Sequence, residues 1–299
     1  METLNTQNAD LAEPEGQMKT LSSETASSTP YDDAWRTLST TASQLLVPMV
    51  NEAFGEHFPD DAVVTLFPNE HLLLQQDGTS KKRITDTSFT ILSPDVPGFP
   101  GERVAIVDGP SEKHYLFECE SNPVGSKLLI RIVEYSVTTA LDQDSATESG
   151  KLVIHIPQAA VLSLRSTKNT PDEMEIVIAT EKGQVSSTVH VMKLSNYTAD
   201  QILEKKLYLL IPFLLFNYEK QFPAIQNDDG KYRALLDEYQ TLYRRVDELI
   251  PADEHTFSLI DTFTSKALRA MTHTVVDGLA KNYPMIREGV KSAVGGHII

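Results

Sequence analysis

The segment Lys113 to Ser121 constrains the fold of this chain more than any other short stretch. Its residues follow the pattern of a strand, with glutamates at alternate positions, Glu118 and Glu120. Because side chains alternate between the two faces of a strand, both glutamates point one way and Cys119 points the other. Two like charges on one strand face repel each other unless a cation or water screens them. The segment therefore predicts a strand with an acidic face and an apolar back.

A third acid, Asp86, lies in a second strand-like segment, Arg83 to Leu92. If the two segments are neighbouring strands, Asp86 converges with Glu118 and Glu120. Oxygen-rich clusters of this kind bind hard cations such as magnesium or manganese. The alternative reading is a solvated strand face or the charge of an edge strand, because aspartate is disfavoured in strand interiors. The residues alone leave both readings open.

Hydrophobic periodicity orders the predicted elements along the chain. A helix is expected from Pro30 to Gly55, and a loop rich in proline and glycine at 93–111. Strands are predicted at 63–67, 72–75, 83–92, 113–121, 152–156, 160–164, 174–180 and 186–192. Further helices are predicted at 126–141, 198–218, 227–250 and 255–283. This order indicates an α/β fold, a mixed sheet flanked by helices.

The same pattern divides the chain into three regions. Residues 1–29 are rich in Ser, Thr, Glu and Gln, which is typical of a disordered tail. Residues 30–222 form the α/β domain, and residues 223–299 form a helical C-terminal region. One cysteine and the lack of a secretory pattern at the N-terminus favour the cytoplasm. The longest apolar run, Leu207 to Phe216, is too short to span a bilayer, so no membrane partner is expected.

Five stretches, taken in order, resemble the PD-(D/E)XK nuclease family, in its transposase-like, recombination-promoting branch of Firmicutes. They are residues 31–36, 83–89, 114–121, 160–171 and 204–213. The resemblance covers roughly residues 31–220. It implies the αβββαβ core of that family, a restriction-endonuclease-like sheet flanked by helices, to which the C-terminal helices would be an addition.

The resemblance implies a divalent-metal-dependent DNA endonuclease that acts in DNA recombination. Asp86 and Glu118 would hold Mg²⁺ or Mn²⁺, and Glu120 would occupy the third catalytic position, facing water. The family usually has lysine at that position, and this branch commonly has glutamine. A glutamate supplies no positive charge and only accepts hydrogen bonds when ionised. Candidate DNA contacts are Lys81, Lys82, Arg83, Arg131, Arg165 and Lys168.

The net charge supports an alternative. At −16, the chain is unfavourable for diffuse binding to a polyanion, because phosphate contacts need Lys and Arg. Together with the glutamate at position 120, this charge favours a non-catalytic descendant of the nuclease fold that works as a DNA- or protein-binding module. The sequence leaves open a homo-oligomer.

Overall fold

The computed structural model describes residues 29–67, 70–74, 80–84, 87–92, 113–142, 154, 156–253 and 255–295. The predicted loop at 93–111 and the predicted tail at 1–29, apart from its last residue Thr29, lie outside the described residues. Within the described residues, no helix combines the length and the apolar character needed to cross a bilayer.

A mixed sheet forms the centre of the molecule. The strands are β1 (Val63–Leu66), β2 (Glu70–Leu74), β3 (Ser80–Ile84), β4 (Thr87–Leu92), β5 (Lys113–Glu120), β6 (Gln158–Ser163), β7 (Glu173–Thr180) and β8 (Gly183–Lys193). Six of them pair in the order β1-β4-β5-β6-β8-β7, while β2 and β3 form a separate antiparallel pair. Strands β5, β6 and β8 run parallel, and the other pairs in the large sheet are antiparallel. The predicted α/β class with a mixed sheet is confirmed.

Helices cover both faces of this sheet. They are α1 (Pro30–Thr41), α2 (Leu46–Phe54), α3 (Ser126–Asp142), α4 (Ala199–Glu204), α5 (Phe222–Gln226), α6 (Asp229–Glu248), α7 (Thr262–Leu279) and α8 (Pro284–Val294). Short 3₁₀ segments occur at Ser43–Leu45 and Leu194–Asn196, and a longer one at Tyr208–Gln221. Helix α3 is the crossover between the parallel strands β5 and β6, a connection that parallel strands require.

Local chemistry explains where α1 and α2 begin and end. Thr29 and Asp32 form a capping box at the start of α1, in which each side chain accepts a hydrogen bond from the other residue's N–H. Gly55 ends α2 with φ of +66°, as predicted from the sequence. The single helix predicted between them is wrong, because the backbone leaves the helical region at Ala42, where φ is −129°.

Four other predictions of elements differ from the structure. The helix predicted at 255–283 is shorter, since α7 begins at Thr262 and ends at Leu279. The strand predicted at 83–92 is two strands, β3 and β4, which belong to different sheets. The helix predicted at 198–218 ends early, because Lys206 has φ of +58° and the following segment is 3₁₀ around Pro212. The two described positions of the predicted strand at 152–156, Ile154 and Ile156, lie outside strands. Helix α8 was not expected as a separate element, although Ile286, Val290 and Val294 recur at helical spacing.

Two hydrophobic cores lie on opposite faces of the sheet. The larger core joins α1 and α2 to the C-terminal helices and includes Phe89, Phe117 and Leu162 from the strands. The smaller core lies under α3, where Leu116 and Val161 pack against helical side chains such as Ile132. Residue 118 shares the parity of Leu116 on β5, so Glu118 belongs to the α3 face. Cys119 is buried in the larger core, as its alternation predicts.

Candidate functional site

Glu118 and Glu120 lie at the carboxyl end of β5, on the face covered by α3. In the parallel pairing with β6, Glu118 lies beside Val161 and Glu120 beside Ser163. The Leu164 N–H donates to the Glu120 carbonyl at 3.0 Å, which holds the two strand ends together. Glu118 is 1% exposed, whereas the side chain of Glu120 is 18% exposed. A buried carboxylate therefore adjoins one that solvent can reach.

Arg131, on α3, contacts both carboxylates. Its Nη2 lies 3.2 Å from Glu118 Oε2 and 2.9 Å from Glu120 Oε2. Glu120 Oε1 also accepts a hydrogen bond from the Asn122 N–H at 3.1 Å. A charge held out of water is costly unless an opposite charge compensates it. The guanidinium therefore offsets both the burial of Glu118 and the repulsion between the two glutamates.

A polar network on the same face fixes α3 against the sheet. The Tyr135 hydroxyl, on α3, donates to Ser88 Oγ on β4, and Ser88 Oγ lies 2.6 Å from His114 Nε2 on β5. The neighbouring Thr87 faces the opposite core, where its hydroxyl accepts a hydrogen bond from Trp35 Nε1 at 3.0 Å. Because Tyr135 lies one helical turn beyond Arg131, this network also sets where the guanidinium meets the carboxylates.

Asp86, the other predicted metal ligand, lies outside the described residues. It directly precedes Thr87, whose partner in the antiparallel β4–β5 pairing is Phe117. Among the residues that the structure describes, no group of three or more His, Cys, Asp or Glu side chains could hold a metal ion. The two convergent carboxylates nevertheless offer the oxygen donors that Mg²⁺ and Mn²⁺ prefer. The cluster fits part of a hard-cation site, with its third candidate ligand outside the described residues.

Arg165, predicted as a DNA contact, is bound to the protein itself. Its guanidinium donates two hydrogen bonds to Glu219, at 2.7 and 2.9 Å, and a third to the Ser121 carbonyl at 2.8 Å. It also lies 4.8 Å from the centre of the Phe216 ring. The hydrogen bonds to Glu219 raise the pKa of Arg165, although burial opposes them. Arg165 therefore anchors the residue that follows Glu120 to the 3₁₀ segment at 208–221.

The remaining DNA-contact candidates lie apart from this anchor. Lys168 is exposed in the turn after β6. Lys81, Lys82 and Arg83 lie on β3 in the two-stranded sheet, and their side chains lie outside what the structure describes. Of the six candidates, the structure brings Arg131 to the carboxylates. Contact of any of them with DNA stays a prediction.

A cleft of about 320 Å³ opens beside Arg165, lined among others by Ser166, Tyr197 and Glu238. Neither Glu118 nor Glu120 lines it. Its walls carry hydroxyl, amide, carboxylate and cationic groups together, so its charge does not select one class of ligand.

Sequence reasoning missed the ion pairs that the fold creates. The sequence predicts a phosphate contact for Arg131, yet α3 follows β5 as a crossover helix and packs over the strand that carries Glu118. A crossover helix that directly follows β5 and carries a cation near its start is the sequence feature that indicates this ion pair. The partnership of Arg165 with Glu219 has no such feature, because 54 residues separate them.

No protein-family model, curated protein or solved structure gives a significant match to this chain.

Proposed function

We propose that this chain is a divalent-metal-dependent DNA endonuclease of the transposase-like PD-(D/E)XK type. The observation that carries the proposal is the meeting of Glu118, Glu120 and Arg131 at the carboxyl end of β5. The order of elements around the large sheet supports it. With α2 and the separate β2–β3 pair set aside, α1, β1, β4, β5, α3 and β6 follow the αβββαβ order of that family's core.

The carboxylates of Asp86 and Glu118 would hold the ion. A bound Mg²⁺ or Mn²⁺ would activate water and neutralise the charge that develops on a phosphodiester during in-line attack. Glu118 is well placed for such a role, because its burial limits competition from bulk water and the β5–β6 pairing fixes its backbone. Glu120 would take the third position, nearer solvent.

Arg131 would supply the positive charge that residue 120 lacks in this chain. Its side chain is 39% exposed, so a phosphate oxygen could approach it from the solvent side. Arginine suits this task because its planar donors can serve two acceptors at once. The proposed division is therefore metal binding by the carboxylates of Asp86 and Glu118, and phosphate binding by Arg131 on α3.

A non-catalytic binding module remains the second candidate, and one observation favours it. Arg131 lies at salt-bridge distance from both carboxylates, so the protein itself compensates part of their negative charge. Arg165 is committed to Glu219, which leaves less positive charge for a polyanion beside this site. The net charge of −16 acts in the same direction.

The test is nicking of supercoiled plasmid in Mg²⁺ or Mn²⁺. We expect weak, metal-dependent nicking by the wild type, and none by Asp86→Asn or Glu118→Gln, since each loses a charged ligand. Glu120→Gln should preserve or raise the activity. Glu56→Gln is the matched control, because Glu56 pairs with Lys113 at the opposite end of β5 and should retain nicking.

Two outcomes would change the proposal. If Glu120→Lys abolishes nicking as fully as the loss of Glu118, residue 120 is a third metal ligand. If the wild type and every variant are equally inactive in both metals, the nuclease proposal fails. Salt-sensitive DNA binding in that case would support the binding module.

A further inference from the structure

The outer edge of the large sheet, strand β7, presents backbone groups with no neighbouring strand among the described residues. β7 pairs on one side with β8 and ends the strand order. Asp172 and Val191 continue the β7–β8 pairing, and the Val191 N–H donates to the Asp172 carbonyl at 2.8 Å. They therefore form a hydrogen-bonded pair of the antiparallel ladder. In an antiparallel ladder such pairs alternate. The N–H and C=O groups of residues 173, 175, 177 and 179 therefore point away from β8.

The hairpin of β7 and β8 also carries apolar side chains in the part that extends beyond α3. Ile176 is buried in the core under α3, but Val177 and Ile178 beyond it are exposed. Ile178 lies directly across from Val185, which is 71% exposed. Exposed apolar side chains that adjoin each other on a strand pair are typical of interaction sites. An added strand would cover Val177 on one face and Ile178 on the other.

The charges along this edge indicate which side chains an added strand would need. Glu173 and Glu175 are both exposed and share one face of β7. The Glu173 carboxylate lies 3.5 Å from His190 Nδ1 on β8, and its side chain is 63% exposed. Residues opposite these glutamates are favourable when they are cationic, since cross-strand pairs of opposite charge stabilise a sheet. The face of Ile178 favours apolar residues instead.

We propose that β7 binds an extended peptide segment in which lysine or arginine alternates with aliphatic residues, adding a seventh strand to the sheet. Main-chain hydrogen bonds supply the affinity in this mode of recognition, and alternate side chains supply the specificity. This proposal does not depend on the metal site.

A second copy of the chain is disfavoured at this edge in several antiparallel registers, because like charges then lie opposite each other. Antiparallel pairing of β7 with itself about Val177 sets Glu173 against Glu181 of the other copy. Pairing about Ile178 sets Glu175 against Glu181. Like charges directly opposite each other destabilise a strand pair, and two chains of charge −16 repel at long range.

The test measures binding of a fluorescent peptide of about ten residues, long enough for one strand, in which lysine alternates with valine. The wild type should bind it, and a peptide with glutamate in place of lysine should not bind. Methylation of alternate peptide nitrogens should abolish binding, because it removes the donors that face β7.

Two variants separate backbone pairing from charge. Val177→Pro removes an N–H that points outward and leaves the β7–β8 ladder intact, so the protein should fold and binding should weaken by about tenfold or more. Glu175→Lys should weaken binding of the lysine peptide and create binding of the glutamate peptide. Glu181→Lys, in the turn of the same hairpin, is the matched control and should leave affinity within about threefold.

Three results would overturn the proposal. They are no binding by the wild type, equal binding of the methylated peptide, and unchanged affinity in both Val177→Pro and Glu175→Lys. Self-association that Val177→Pro abolishes would assign the edge to a second copy instead.

Discussion

Glu118 is the residue whose environment is hardest to account for without a function. It is 1% exposed, and the Arg131 guanidinium lies 3.2 Å from its carboxylate. Burying a carboxylate and then compensating it with a half-exposed guanidinium is seldom more stable than an apolar pair of similar volume. A functional role for the carboxylate would explain why it is buried although its burial lowers the stability of the fold.

We predict that Arg131→Gln lowers the free energy of unfolding by about 2 kcal/mol, below the usual cost of breaking a fully buried pair because Arg131 is partly exposed. Glu118→Gln in the same chain should recover part of that loss, since it removes the charge that the arginine compensates. Urea denaturation of the two single variants and the double variant measures the coupling. Strictly additive effects would show that the two side chains do not interact in solution.

How well each helix and strand could be predicted from the sequence depends on how clearly its ends are marked. Strand β5 and helices α3 and α6 could be predicted closely, because each has a clear period and clean ends. The helix from Pro30 to Gly55 could not be divided correctly, because apolar spacing continues through the break at Ala42. The helix predicted at 198–218 failed because a backbone conformation at Lys206, with φ of +58°, decides where it ends. No propensity of lysine indicates that conformation.

The candidate site also has a part that the sequence predicts and a part that it does not. Alternation along β5 predicted that Glu118 and Glu120 share a face, because that inference needs only one strand. The partners of Arg131 and Arg165 depend on how α3 and the 3₁₀ segment at 208–221 pack on the sheet. Tertiary packing of this kind leaves no periodic trace in the sequence, so the pair of Arg165 could not be predicted. The pair of Arg131 could be inferred only from the position of α3 as a crossover helix after β5.

At the scale of elements, Arg165 connects the end of β6 to the 3₁₀ segment through its fork of hydrogen bonds to Glu219. Arg165→Lys keeps the charge but loses the paired geometry and the contact with Phe216. We predict a loss of about 1 to 2 kcal/mol in the free energy of unfolding. Lys168→Ala, three residues further on an exposed turn, should change it by less than about 0.5 kcal/mol. Equal effects of the two substitutions, measured by urea denaturation, would contradict this role for Arg165.

At the scale of the whole molecule, one continuous core joins the first helix to the last. Gly278 on α7 lies so close to α1 that a Cβ there would meet the Tyr31 ring at 3.3 Å. Tyr239 and Tyr243 on α6 are each 1% exposed within this core. The helices after residue 222 thus complete the hydrophobic face of the sheet that lies opposite α3.

The buried tyrosines predict how stability depends on pH. Burial raises the pKa of the Tyr239 and Tyr243 hydroxyls, whereas a tyrosine in the unfolded chain ionises near pH 10. Above that pH the folded state binds more protons than the unfolded state. The stabilisation is therefore complete below about pH 10 and is lost as the pH rises toward the folded-state values, by about 1.4 kcal/mol per pH unit for each tyrosine.

Urea denaturation from about pH 8 to about pH 11 measures this loss, and the Tyr239→Phe variant isolates one tyrosine. Between these pH values the free energy of unfolding should fall less steeply with pH for the variant than for the wild type, by the contribution of one tyrosine. Lysines also titrate in this range, but they are the same in both proteins. Identical slopes for the two proteins would contradict the raised pKa of Tyr239.

The proposed role of Glu118 as a ligand of a catalytic ion is tested most directly by one comparison, the nicking rates of wild type and Glu118→Gln as the Mg²⁺ concentration is increased. We predict a rate for the wild type that rises with Mg²⁺ and saturates, and a rate for folded Glu118→Gln that stays at background at every concentration. A wild type that never exceeds background in Mg²⁺ or Mn²⁺, or a variant that nicks as fast as the wild type, would contradict it.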